Sequence, residues 1–333
     1  MAVRVGINGF GRIGRYMTRL LARDSELELV AVNARADNET LAHLLKYDSV
    51  HGTYSEPVQA TENGFSVGDR EIEVTRKAGG EWVWGDFDVD MVLETTGKFR
   101  DRGSCEQHLQ CGPKKVLISA PGKGSDLTVV VGVNHDDLRP DHRIISNASC
   151  TTNCLAPMTK VLHEQFGVER GIMTTTHSYT MSQRILDGSH KDLRRGRAAA
   201  MSMIPTTTGA AKAVTEVIPD LEGKLDGMAV RVPTPNVSLV DLTVDLAAKV
   251  SPDQINQAFQ QAAEGRLKDI LGYTEVPLVS IDYVSSQYGG VVDGPLTSVI
   301  DGSMVKVIAW YDNESGFSNQ LLRLAKIVAK DLS

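Results

Sequence analysis

The chain has few cysteines, no run of basic residues and no long apolar stretch. Only Cys105, Cys111, Cys150 and Cys154 occur among 333 residues, and their spacing matches no zinc-ligand pattern. No metal is expected, and in a reducing compartment each defaults to a free thiol. Cys105 and Cys111 read as small buried apolar residues. The net charge of -7 has no compensating cluster of lysine and arginine, which argues against a nucleic-acid partner and for small-molecule chemistry. The opening apolar run to Asn8 is cut short by glycines and is neither a signal peptide nor a membrane span, so a cytoplasmic location is expected. Internal repeats, low-complexity segments and long linkers are also missing.

What is present suits a large core. With 41% hydrophobic and 23% charged residues, the chain fits one or two globular domains. Val3 to Asn8 reads as a buried strand. Ile13, Tyr16, Met17, Leu20 and Leu21 then repeat at helical spacing, and Leu27 to Val32 is a second strand. A helix between two strands makes them parallel. Further strands are expected at Met91 to Leu93, Val116 to Ile118 and Val129 to Val133, which gives an open α/β sheet over residues 1–149. Beyond that point longer, alternating strands appear at Ile172 to Tyr179, Met228 to Val232, Val237 to Leu246, Thr297 to Ile300 and Val305 to Tyr311. They predict an α+β domain over residues 150–315 with a mostly antiparallel sheet covered on one face. Ser251, Pro252 and Gln254 mark a capped helix start. The closing stripe, Leu321 to Val328, predicts a helix within 316–333 that packs back on the first domain.

Gly9, Gly11 and Gly14 stand at G-x-G-x-x-G spacing between the first strand and the first helix. That context makes a Rossmann-type doubly wound domain and a dinucleotide site: the backbone turns tightly, approaches a pyrophosphate and aims helix amides at it. An acid is expected about 20 positions on to hold the ribose 2′-hydroxyl. Here the place reads Asn33, Ala34, Arg35. A missing carboxylate beside a guanidinium favours NADP over NAD. Asp37 and Glu39 are near enough in sequence to substitute after a loop shift.

Cys150 lies where a short strand (Ile144, Ile145) passes into a helix (Leu155 to Leu162). Helix amides there favour a thiolate, so Cys150 is the candidate nucleophile. Cys154 falls one turn inside the helix, a packing position. His177, on a strand among polar neighbours, reads on its own as a hydrogen-bonded structural residue.

Seven blocks change that reading: GINGFGRIGR at Gly6, LLKYDSVHG at Leu44, SNASCTTNC at Ser146, HKDLRRGRAAA at His190, PTTTGAAKAV at Pro205, VRVPTPNVS at Val230 and WYDNESGFSN at Trp310. Together they resemble the glyceraldehyde-3-phosphate dehydrogenase family over nearly the full chain. The resemblance implies that Cys150 is the nucleophile and His177 its base. It implies that Thr180, Arg195 and Arg231 hold the phosphate of glyceraldehyde 3-phosphate, and that Ser149, Thr151, Thr208 and Gly209 hold inorganic phosphate. Cofactor contacts extend to Asn8, Arg12, Ile13, Arg76, Thr96, Gly97, Ser119 and Asn313. A homotetramer is also implied, with the segment Tyr179 to Met203 lying against a neighbouring subunit's cofactor.

The chain departs from the family's NAD-preferring members at Ala34, where they have aspartate, and at Gly188 and Ser189, where they have leucine and proline. Both changes resemble photosynthetic members that accept NADP. NADP is therefore the expected cofactor, with NAD alongside it. Met181 and Ser182 replace the commoner asparagine and aspartate. Ser315 and Phe317 stand where most relatives have tryptophan and tyrosine. Phenylalanine there resembles erythrose-4-phosphate dehydrogenases, the alternative reading. A non-catalytic nucleotide-binding scaffold is the alternative of another class, and Cys150 with His177 counts against it.

Overall fold

Apolar strands flanked by helices need cover on both faces, and the first strands sit accordingly at the centre of a sheet. β1 (Val3–Asn8), α1 (Arg12–Leu21) and β2 (Leu27–Asn33) form the expected parallel unit. After them come α2 (Asn38–Lys46), β3 (Val58–Ala60), β4 (Gly64–Val67), β5 (Arg70–Thr75), β6 (Met91–Glu94), α3 (Arg102–Gln110), β7 (Lys115–Ile118), β8 (Leu127–Thr128) and β9 (Ile144–Ser146). The sheet order is β3-β4-β5-β2-β1-β6-β7-β9-β8. From β5 to β8 the neighbours are parallel, and β3 and β4 are antiparallel additions. The strand order reverses between β1 and β6, the switch point at which open α/β sheets bind ligands. The fold is the expected α/β Rossmann type with a separate second sheet.

The computed structural model describes residues 2–332. Met1 and Ser333, the outer ends of the expected first domain and closing helix, lie outside the described residues. One unit takes the chain up to Val129, then His135–Ala148 and the residues from Leu321 on; the other takes Val130–Asn134 and Ser149–Gln320. The strand expected at Val129 to Val133 does not form. Only Leu127–Thr128 pairs with β9, and the chain then turns at Gly132 with φ +86°. Asn134 explains the stop: its Oδ1 accepts the Val130 N–H at 2.9 Å, taking an amide that a strand would need.

The second unit contains α4 (Cys150–Phe166), β10 (Val168–Ser178), β11 (Ile204–Thr207), α5 (Ala210–Val217), β12 (Leu225–Val232), β13 (Ser238–Leu246), α6 (Pro252–Glu264), β14 (Leu271–Thr274), β15 (Gly290–Asp293), β16 (Ser298–Ile300) and β17 (Met304–Tyr311). Its order is β11-β12-β10-β13-β17-β15-β14, with β16 on β17. Most pairs are antiparallel; β10/β12 and β14/β15 are parallel. Along β13 every second residue is buried, the signature of a sheet covered on one face. Ser251 and Gln254 close the capping box at the start of α6. In α7 (Ser315–Ala329), Lys326 reaches Asp24 at 2.7 Å and Glu26 at 2.8 Å, within the first unit.

Gly14 tests how tightly the first turn is built. Helix propensity alone favours alanine there by about 1 kcal/mol. A Cβ would however stand 2.2 Å from the Gly9 carbonyl oxygen, a backbone overlap that no rotamer relieves. Gly14→Ala is expected to lower the unfolding free energy by about 2 kcal/mol in a denaturant titration. Gly11→Ala, whose Cβ meets nothing within 4 Å, should change it by less than about 0.5 kcal/mol. Equal effects would show that the turn is not close-packed.

Candidate active site

The dinucleotide turn is assembled from the ends of β1 and β6. Gly9 adopts φ +101°, and Thr95 Oγ1 donates to the carbonyls of Asn8 (3.0 Å) and Gly9 (2.9 Å). Gly11 precedes α1 with no side-chain cap, and the space above it is open, so the chain itself gives no reason for a glycine there. A pyrophosphate approaching the backbone would need that open space. Gly97, at φ +68°, has the same open space. Ile13 lies in the first turn of α1 and Ser119 directly after β7.

Several expected contacts are committed within the protein. Arg12 forms a two-pronged ion pair with Asp48, one prong at 3.0 Å. Asn8 and Asn33 hydrogen-bond each other at 2.9 Å. Ala34 is buried at the end of β2 and Arg35 is exposed. Arg76 donates to the Ala36 carbonyl at 2.8 Å and to Asn38 Oδ1 at 2.6 Å. Asp37 caps α2, accepting the Thr40 N–H at 2.7 Å and the Thr40 hydroxyl at 2.8 Å. Those bonds hold its carboxyl below the ordinary range.

Cys150 is the first residue of α4, behind the cap Ser149, whose Oγ accepts the Thr152 N–H at 3.1 Å. Its Sγ stands 3.5 Å from His177 Nε2. The other ring nitrogen, Nδ1, lies 2.7 Å from the Ser178 carbonyl and 2.8 Å from Arg231 Nη1, which donates to that same carbonyl at 2.9 Å. Strand register produces this cluster, since His177 on β10 pairs with Arg231 on β12. Burial and then the Arg231 charge push His177 down to about 3. Burial also pushes the Cys150 thiol up, against the Arg231 charge and hydrogen bonds from Thr151. A helix end is worth about 0.3–2 kcal/mol. Burial shifts a pKa by as much as about 3–5 units, each about 1.4 kcal/mol. Burial is thus the first cause at both groups, and it drives the thiol and the imidazole toward their uncharged forms, against the pull of the helix end on the thiol.

The residues expected to hold anions make the following contacts. Arg195 donates to Thr206 Oγ1 at 3.0 Å and lies 3.5 Å from Asp192. Burial is the main cause of a lowered Arg231, and the Arg195 charge adds to it. Thr151 Oγ1 bonds the Tyr311 hydroxyl at 2.8 Å. Thr208 Oγ1 accepts the Ala210 N–H at 3.2 Å, and Gly209 opens α5 with empty space above it. Thr180 Oγ1 bonds Ser182 Oγ at 2.9 Å. Gly188 and Ser189 are exposed; Gly188 donates to the Gly196 carbonyl at 2.9 Å and Ser189 accepts from Arg184 at 2.8 Å. Asn313 is buried, its Oδ1 accepting from Ser238 at 3.0 Å, which orients the carboxamide.

Tyr311 was not singled out from the sequence. Its hydroxyl joins Thr151 to Thr175 (2.9 Å), and its ring meets His177 edge-on at 5.9 Å. Its partners lie 160 and 136 residues away, so only its place in the block at Trp310 signals it. Asp192 was also missed; it accepts the Arg195 N–H at 3.3 Å and steadies that guanidinium.

A dinucleotide turn in one unit, and a thiol backed by imidazole and guanidinium in the other, are parts that fit a nucleotide-dependent dehydrogenase. Residues 3–102 match the glyceraldehyde 3-phosphate dehydrogenase NAD binding domain, and residues 149–313 match the C-terminal domain of the same family. The chain is 57% identical over 331 residues to a glyceraldehyde-3-phosphate dehydrogenase of Geobacillus stearothermophilus, covering 99% of both chains. It is 56% identical over 324 residues to glyceraldehyde-3-phosphate dehydrogenase 1 of Bacillus cereus, covering 97% of both. The chain belongs to the glyceraldehyde-3-phosphate dehydrogenase family.

His177→Asn should reduce kcat by about 10²- to 10⁴-fold in steady-state assays, as loss of a general base does. It should also flatten the acid limb of stability. Folded His177 titrates near 3 and an unfolded histidine near 6.5, so the unfolded chain binds the extra proton between those values and stability falls as pH drops through that window. From pH 7 to pH 5 the parent should lose about 2 kcal/mol more than His177→Asn in urea titrations. Parallel losses would mean that the imidazole is not desolvated.

Proposed function

We propose that the chain is a phosphorylating glyceraldehyde-3-phosphate dehydrogenase that converts glyceraldehyde 3-phosphate and inorganic phosphate reversibly to 1,3-bisphosphoglycerate, with NADP preferred and NAD also used. The observation that carries this reading is Sγ of Cys150 at the start of α4, 3.5 Å from the His177 ring. His177 Nε2 takes the thiol proton as Sγ adds to the aldehyde carbon. The hemithioacetal oxygen is then held by the Cys150 N–H and the imidazole. The nicotinamide that the first unit would hold would supply the hydride acceptor for conversion of this adduct to a thioester on Cys150. Inorganic phosphate, held by Ser149, Thr151, Thr208 and Gly209, attacks the thioester carbon; the C–S bond breaks and the acyl phosphate leaves. Arg195 and Arg231 take the substrate's own phosphate. Burial first and the Arg231 charge second keep His177 from accepting a proton; a dianion on Arg231 offsets the second, so the base strengthens where the aldehyde is bound.

NADP preference is supported by Ala34 in place of a carboxylate, by Asp37 being engaged as a helix cap, and by the guanidiniums of Arg35 and Arg76 nearby. A homotetramer fits the exposed apolar side chains of the segment 179–203, with Met181, Ile185, Leu186, Leu193, Met201 and Met203 all largely uncovered in a single chain. Free thiols throughout suit a reducing, cytoplasmic location.

Purified protein should reduce NADP with glyceraldehyde 3-phosphate only when phosphate or arsenate is present. Equal rates without either, and faster turnover of erythrose 4-phosphate, would favour the erythrose-4-phosphate reading, to which Phe317 points. Ala34→Asp should lower kcat/KM for NADP relative to NAD by about tenfold or more, since it sets a carboxylate against the 2′-phosphate. An unchanged ratio would remove Ala34 from the cofactor assignment.

A further inference from the structure

Beneath the dinucleotide turn lies a polar network that the thiol chemistry does not use. Glu94, at the end of β6, is fully buried. One carboxylate oxygen accepts from Asn8 Nδ2 at 2.6 Å and faces His108 Nε2 at 3.2 Å; the other accepts the Thr96 N–H at 2.7 Å and contacts the Thr96 hydroxyl. The direction of every bond is dictated. Trp84 Nε1 can only donate, and it donates to His108 Nδ1 at 3.0 Å, so the His108 proton sits on Nε2 and points at Glu94. Asn33 Nδ2 donates to Asn8 Oδ1 at 2.9 Å, which turns the Asn8 amino group to Glu94. Thr75 Oγ1 and the Lys77 N–H donate to Asn33 Oδ1 at 2.9 and 2.8 Å. Donors thus converge on one carboxylate from both sides, across the carboxyl ends of β5, β2, β1 and β6.

Two of the residues so held form the turn itself. Thr96 N and Cγ2 lie 3.0 and 2.9 Å from where a Gly9 Cβ would stand, and Asn8 immediately precedes Gly9. The Glu94 carbonyl also accepts the Ser119 N–H at 3.0 Å. We propose that Glu94 is a positioning residue for the cofactor, whose two acceptor oxygens lock the Asn8–Gly9 and Thr96–Gly97 backbones in the shape that receives the dinucleotide. It does not touch the cofactor. The inference rests on the assignment of residues 3–102 to NAD binding.

Glu94→Gln is nearly isosteric but has one acceptor oxygen, so in either rotamer its amino group opposes the donors of Asn8 and His108 or that of Thr96. In fluorescence titrations with NAD and NADP, Glu94→Gln should raise Kd at least tenfold. The steady-state loss should fall on KM for the cofactor more than on kcat. Alkylation of Cys150 without nucleotide should keep the parent rate. An unchanged Kd overturns the proposal, and so does a parallel fall in alkylation, kcat and cofactor binding, which would mark a merely structural role. Trp84→Phe keeps the ring but removes the N–H that fixes the His108 tautomer. It should raise Kd severalfold, and it decides the matter if Glu94→Gln does not fold: unchanged binding then overturns the proposal. Failure of the parent protein to bind either nucleotide would defeat the dinucleotide reading instead.

Discussion

The pairing of β10 with β12 in a single register is the constraint on which the thiol chemistry depends. Side chains along a strand alternate between faces, so a slip of one residue would carry His177 to the far side of the sheet and leave Cys150 without its imidazole. The same pairing sets Arg231 beside His177, and β11 extends it, with Ile204 opposite Arg231 and Thr206 near Arg195. On the other flank β13 and β17 carry the order outward until Ser238 faces Tyr311. Base, guanidinium and tyrosine are therefore parts of one hydrogen-bonded ladder, and none can move far alone.

That ladder encloses polar atoms at an electrostatic cost. The imidazole and the thiol are both driven toward their uncharged forms, while Arg231 stands close enough to act on each in opposite senses. On the proposed function, an anion arriving at that guanidinium would alter the acid–base balance of the imidazole paired with it on the neighbouring strand.

Much of this was legible in the amino-acid order because it rests on local rules. The strand, glycine turn and helix at Val3 to Leu21 follow from apolar periodicity and from the steric freedom of Gly9, and the start of α6 follows from Ser251, Pro252 and Gln254. The junction at Cys150 was also visible, as strand and helix meet there. The segment Val129 to Val133 was misread because an apolar run carries no sign that Asn134 will take a backbone amide from it. Tyr311 and Glu94 escaped for a different reason: their partners are brought in by tertiary pairing across 86 to 160 residues, and no spacing rule spans that distance. The phosphate ligands became readable only through resemblance, since Thr208 and Gly209 alone are ordinary turn residues.

The first unit is not contiguous in the chain. It draws on residues up to Val129, on His135–Ala148 and on the helical segment from Leu321, whose Lys326 clasps Asp24 and Glu26. During synthesis the nucleotide-binding sheet therefore emerges from the ribosome long before the segment that completes it, and about 170 residues of the other unit must be made in between. Vectorial folding from the amino end cannot finish this unit first; its final assembly waits until the segment from Leu321 has emerged, and the apolar surface that Leu321, Leu324 and Val328 cover stays open until then.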